Sequence, residues 1–194
     1  MLRTSVFAVF ALSGAAAAQT LTPAAVFGVD FRNNAFSFFS STLSDAVETR
    51  FRDRRAFAEF DIRQLDGPTI ISASLATDVT EQFSFGFGIS PATFEVAIYS
   101  GNGQADLSDF DIAATPIGTV QYVEDFDTAV LDLDARAALQ SLVDSGATFA
   151  GVRIRAVETG VGQVDFNDIA LNVESVPAPA AAALLGLAGS AAAR

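Results

Sequence analysis

Ile71-Ser72-Ala73-Ser74-Leu75-Ala76-Thr77-Asp78-Val79 is the stretch that decides the fold. Successive side chains of a strand point to opposite faces, so Ile71, Ala73, Leu75, Thr77 and Val79 share one side and Ser72, Ser74, Ala76 and Asp78 the other. One dry face and one wetter face mark an antiparallel sheet packed on a core from one side. The same period recurs where Phe94, Val96 and Ile98 alternate with Glu95, Ala97 and Tyr99, and where Val152, Ile154 and Ala156 alternate with Arg153 and Arg155. Further strands are expected over 26–32, 56–62, 83–88, 117–122, 129–133 and 164–173, about nine in all. A single helical pattern covers 134–145, with Asp134 as its cap, Ala138, Leu139 and Leu142 as its apolar stripe, and Gly146 at its end. Many short strands punctuated by Gly, Pro, Asn and Asp, with one short helix, predict an all-β fold: an antiparallel β-sandwich of jelly-roll type.

The composition removes whole classes of chemistry. Every one of the 11 basic side chains is arginine, set against 23 acidic residues, and the formal net charge is -12; histidine, cysteine, tryptophan and lysine are absent. Without cysteine or histidine there is no thiol nucleophile, no Ser-His-Asp triad and no zinc finger. Without lysine there is no Schiff base and no P-loop lysine. So acidic a chain repels phosphate backbones, and nucleic acid is not an expected partner.

The two ends read differently from the middle. Arg3, the apolar run from Val6 to Leu12, and the alanines that follow form the charged, apolar and small-residue regions of a signal peptide. Cleavage is expected after Ala18, with Ala16 and Ala18 as the small residues and Gln19 as the new N-terminus. Three segments follow: 1–18 as signal peptide, 19–175 as one sandwich domain, and 176–194 as a tail. In the tail, Val176-Pro177-Ala178-Pro179-Ala180 opens into an alanine- and leucine-rich stretch closed by Arg194. As a helix that stretch would rise only about 21 Å, short of a hydrocarbon core of about 30 Å.

A proline motif, an apolar helix and a basic terminus resemble the PEP-CTERM family of sorting signals in its Val-Pro-x-Pro-Ala form. The resemblance implies export machinery and an exosortase-like processing enzyme as partners, with membrane contact only through the tail. Arg55-Ala56-Phe57-Ala58-Glu59-Phe60-Asp61-Ile62, then Leu65-Asp66-Gly67 and Ile70-Ile71-Ser72-Ala73-Ser74-Leu75, resemble the opening of secreted PEP-CTERM proteins and of carbohydrate-binding-like DNRLRE sandwiches. Gly101-Asn102-Gly103 and Leu131-Asp132-Leu133 are similar to that group as well. What this implies is a fold and a setting at the cell surface or outside the cell.

Four clusters are candidates for a site. In the loop from Ser100 to Asp109, the oxygens of Asn102, Asp106 and Asp109 are spaced as calcium ligands, while Ile98 stands where the first aspartate would belong; a solvated turn is the other reading. Calcium is the one cofactor this pattern suggests. Arg50, Arg52 and Arg54 are the concentrated positive charge, suited either to an anionic polysaccharide or to pairing with acids on a strand face. Glu124, Asp125 and Asp127, and Asp132 with Asp134, are acidic groups that would serve glycoside hydrolysis only in the right geometry. Most of the 18 phenylalanines fall in the inward phase and read as core. The expected function is an exported, non-catalytic structural protein of the cell surface or matrix. A carbohydrate-binding module for an anionic polysaccharide and a glycoside-active enzyme are the alternatives.

Overall fold

The computed structural model describes residues 15–38, 44–49, 52–65, 69–83, 92–122, 129–157 and 163–176. Within them stand β1 (Ala17–Leu21), β2 (Ala25–Arg32), β3 (Ala35–Phe38), β4 (Ser44–Thr49), β5 (Arg52–Asp61), β6 (Thr69–Phe83), β7 (Ala92–Gly101), β8 (Thr115–Tyr122), β9 (Ala129–Asp134), α1 (Arg136–Asp144), β10 (Phe149–Ala156) and β11 (Gln163–Val176). All the strand pairings are antiparallel.

The eight strands from β4 to β11 run in the order β8-β7-β10-β5-β4-β11-β6-β9. That order is two sheets, β4-β11-β6-β9 in front and β5-β10-β7-β8 behind, joined by the nested Greek keys of a jelly roll. The corner is β4, whose first half pairs with β11 and whose second half pairs with β5. Two additions widen the sheets: β1 lies beside the end of β11, and the β2–β3 hairpin extends the back sheet from β5.

The core forms where the inward phases of the two sheets meet. Ala56, Ala58 and Phe60 of β5, Val96 and Ile98 of β7, and Val152 and Ile154 of β10 pack toward Ala73 and Leu75 of β6 and Leu171 and Val173 of β11. Phe94 and Phe166 meet edge to face at 5.4 Å. Each large side chain buried here contributes about 1.5–3 kcal/mol, which is what fixes the strand phases.

The expected helix is present in shortened form. The cap position falls on Ala135, which offers no side-chain acceptor, and not on Asp134 as expected; Asp134, one residue earlier at the end of β9, accepts from the Arg136 backbone N–H at 2.9 Å. Leu139 is fully buried, and Gly146 takes a left-handed φ of 77° just past the end. The expected dry face of the opening strand holds at Ala73, Leu75 and Thr77 but fails at Ile71, which is 44% exposed. Ser72 pairs with Glu174 and Ile70 with Ser175, so Ile71 is an extra residue on β6. A bulge turns Ile70 inward in its place. β1, β3 and β4 were not expected. Of the strand expected over 83–88, Phe83 is the last residue of β6 and 84–88 lie outside the described residues.

Candidate functional site

The loop from 102 to 114, between β7 and β8, folds back over the outer face of the back sheet. Phe27, Val29, Phe57, Tyr99 and Phe110 form a second apolar cluster beneath it. Three charged side chains of the sheet fasten the loop. Glu59 of β5, fully buried, accepts from the backbone N–H groups of Asn102 at 3.0 Å and of Gly103, and from the Tyr99 hydroxyl at 3.0 Å. Arg55 donates to the carbonyl of Phe110 and lies over that residue's ring at 3.8 Å, and Arg153 donates to the carbonyl of Ile112 at 2.7 Å.

Each of the three residues spaced as calcium ligands accepts a backbone N–H within this loop. Asn102 Oδ1 accepts from the Gln104 N–H at 2.8 Å, Asp106 Oδ1 from that of Ser108 at 2.9 Å, and Asp109 Oδ2 from that of Asp106 at 3.3 Å. The last two form a capping box around the 3-10 turn Leu107–Asp111. Among the described residues no three acidic side chains stand together as a metal cluster. Melting temperatures in millimolar calcium and in chelator are therefore expected to agree, since a ligand held only by the native state would raise one of them.

Asp109 is 3% exposed, and burial followed by the charge of Glu59 pushes its pKa up to about 6. Burial also pushes the Tyr99 hydroxyl well above its ordinary range, reinforced by Glu59 and Asp109, so it serves as a fixed donor. Between 3.8, the ordinary aspartate value, and about 6, the folded protein binds more protons at Asp109 than the unfolded chain does. Stability therefore falls as pH rises through that window. The effect should be about 3 kcal/mol, read as a melting temperature that declines from the acid to the neutral end, and Asp109→Asn should flatten the profile. Asp61, held down to about 2 chiefly by its hydrogen bond with Arg63, acts below that window.

The arginine run divides. Arg54 is 2% exposed and faces Asp30 of β2 at 3.9 Å, so the polyanion contact expected of it is not available to a ligand. Its phase on β5 is that of Ala56 and Ala58, which carries it inside. Arg55 pairs with Asp53 at 2.6 Å and Asp111 at 3.3 Å. Arg52 is opposite Arg32 and Thr49 in the sheet, its side chain outside the description, and Arg50 lies outside the described residues. Glu124, Asp125 and Asp127 lie outside them too, as do Pro177, Pro179, Ala180 and Arg194. Ala16 is exposed, Ala18 pairs with Glu174 in β1, and Gln19 with Val173; Val176, given to the tail, ends β11 opposite Thr69.

The outer face of the front sheet holds an open groove of about 770 Å³. Here the polar phase of the opening stretch does its work. Asp134 of β9 pairs with Ser74 of β6, Ser74 with Asn172 of β11, and Asn172 with Thr20 of β1. The result is one polar row across four strands, about 15 Å long at the usual strand spacing. A second row sets Ser72 opposite Glu174, with its hydroxyl donating to Oε2 at 3.3 Å. Thr20 Oγ1 donates to Asn172 Oδ1 at 2.8 Å, and Arg136 closes one end, its Nε donating to the Ile70 carbonyl at 3.3 Å. Hydroxyl, carboxamide, carboxylate and guanidinium groups at fixed spacing can donate to and accept from a polyol. Ser72 and Ser74 were legible as a wet face; their alignment with Asn172 and Thr20 depends on pairings between strands far apart in the chain.

No protein-family model matches the chain, and no curated protein does. Among solved structures it is similar to a rhamnosidase from Klebsiella oxytoca with rhamnose bound, at 11% identity and a TM-score of 0.41. The likeness covers 85% of this chain and 30% of that one, so the chain spans under a third of the larger protein's length.

Proposed function

We propose that the chain is an exported, non-catalytic module of the bacterial cell surface or extracellular matrix that holds polysaccharide on the open polar face of its front sheet. The row Asp134–Ser74–Asn172–Thr20 carries this reading, because it offers hydrogen-bonding groups on rigid strands along a line that a polymer can follow. A neutral polymer is favoured over an anionic one. Asp132, Asp134 and Glu174 outnumber Arg136 in the groove, and the chain as a whole carries -12. Among the described residues, the interior carboxylates Glu59 and Asp109, which come near each other, are sealed from solvent.

Native gels containing hydroxyethylcellulose test the binding. The full-length chain should be retarded, and Ser74→Ala with Asn172→Ala should weaken retention about tenfold, as expected for two lost hydrogen bonds of roughly 0.7 kcal/mol each. Equal retention of both proteins would remove the polar face as the site.

Export and sorting rest on 1–18 and on the resemblance of 176–194 to PEP-CTERM signals, with an exosortase-like enzyme as partner. β11 ends at Val176, and Pro177 cannot donate to a ladder beyond it. Deleting 177–194 should leave the melting temperature within about 1 °C while shifting protein from the envelope to the medium.

A further inference from the structure

The back sheet carries an aromatic surface that the apolar core does not account for. Asn33 and Asn34 both take left-handed backbone, with φ of 53° and 62°, and make the two-residue turn that joins β2 to β3. The turn sets Phe31 opposite Phe36 and Val29 opposite Phe38. Phe36 is 42% exposed and Phe38 52%, and being two apart on one strand they share a face. Each stands on an inner layer: Phe36 is 4.8 Å from Phe31 and 5.1 Å from Phe110, and Phe38 is 6.2 Å from Phe27. Phe110 is clamped in turn by Arg55. The rings are thus held in place before any ligand arrives.

The size of this patch selects its occupant. A phenylalanine buries about 150–250 Å² when fully covered, so two half-exposed rings offer about 200 Å². A stable protein interface takes about 800 Å² from each partner. The patch is a quarter of that, and it matches the face of one or two sugar rings. Ring faces are electronegative and attract the weakly positive C–H groups on the face of a pyranose. Arg32, Asn33 and Asn34 stand exposed at the hairpin tip, where they can donate to hydroxyls at the sugar's rim.

We infer that Phe36 and Phe38 form a stacking ledge for the C–H faces of a neutral hexopyranose chain whose hydroxyls are equatorial. The inference rests on the polysaccharide reading above and deepens it. The ledge belongs to the outer side of the back sheet, across the sandwich from the polar row, so one molecule holds two glycan segments, one on each face.

Native gels with hydroxyethylcellulose, run beside sedimentation velocity, test it on the full-length chain. Phe36→Ala with Phe38→Ala should weaken retention at least fivefold, and Phe36→Leu with Phe38→Leu, which keeps apolar cover over Phe31, Phe110 and Phe27 but removes the flat ring faces, should weaken it in the same direction in a chain that melts close to wild type. Retention equal to wild type, with the polar-row variant still impaired, overturns the ledge and leaves the proposed function standing. A wild-type chain that is not retained at all overturns both. A concentration-dependent dimer that the ring variant abolishes overturns the ledge as a glycan site and makes it a contact between copies of the chain.

Discussion

Replacing Gly151 with alanine should lower the melting temperature by about 10 °C, the equivalent of about 4 kcal/mol in a chain of this size. Gly151 lies in β10 with Tyr99 of β7 on one side and Glu59 of β5 on the other. The Tyr99 ring lies flat across it, so that its hydroxyl reaches Glu59 over the intervening strand. A Cβ at 151 would overlap that ring. The ring is 1% exposed, and moving it would break its hydrogen bond to Glu59. Displacing it combines overpacking, about 1–3 kcal/mol, with the loss of a buried hydrogen bond to a carboxylate. Gly151→Ala with Tyr99→Leu should recover part of the loss, because the leucine branch is shorter than the ring, and recovery in thermal melts separates this cause from an effect on β10 itself.

The second large effect is expected at Glu59, and the choice of replacement decides its size. Glu59→Ala leaves the N–H groups of Asn102 and Gly103 and the Tyr99 hydroxyl without their acceptor and opens a void beneath the loop. Each stranded buried group costs about 1–3 kcal/mol, so a loss of about 4 kcal/mol is expected. Hydrogen exchange should rise through 102–114 before the rest of the back sheet opens. Glu59→Gln is the instructive contrast. Its carbonyl can accept from the two loop N–H groups while its amide donates to the Tyr99 oxygen, so the change should stay near 1 kcal/mol. Asp109, relieved of the neighbouring charge, should then titrate below about 6. Comparable losses in the two variants would mean that the carboxylate's charge, and not its acceptor geometry, holds the loop.

The jelly roll was legible because burial on one side imposes a period of two, and at Ala73, Leu75, Phe94, Val96, Val152 and Ile154 nothing competes with that period. What stayed hidden was set by distant contacts. Ile71 shares the phase of Ala73, and only the pairing of β6 with β11 reveals the bulge that turns it out. Glu59 occupies a phase that reads as wet, and it is dry because a loop more than forty residues on closes over it. Arg54 reads as one member of a basic run and is inside, where Asp30 of the neighbouring β2 meets it at 3.9 Å. The β2–β3 hairpin had a local signal, Asn33-Asn34 between alternating phenylalanines. Asn-Gly would have been the stronger form of that signal. Of the candidate site, the serines were visible as polar residues; the row they make with Asn172, Thr20 and Asp134 is a property of strand order, which no single stretch contains.

The most direct test of the polar face is an amide chemical-shift map of the isotopically labelled full-length chain titrated with cellohexaose. Shifts should gather at Ser72, Ser74, Asn172 and Glu174, the residues of the two polar rows. A titration in which those amides stay fixed while the loop 102–114 moves would contradict the account and place the ligand on the face that the loop covers.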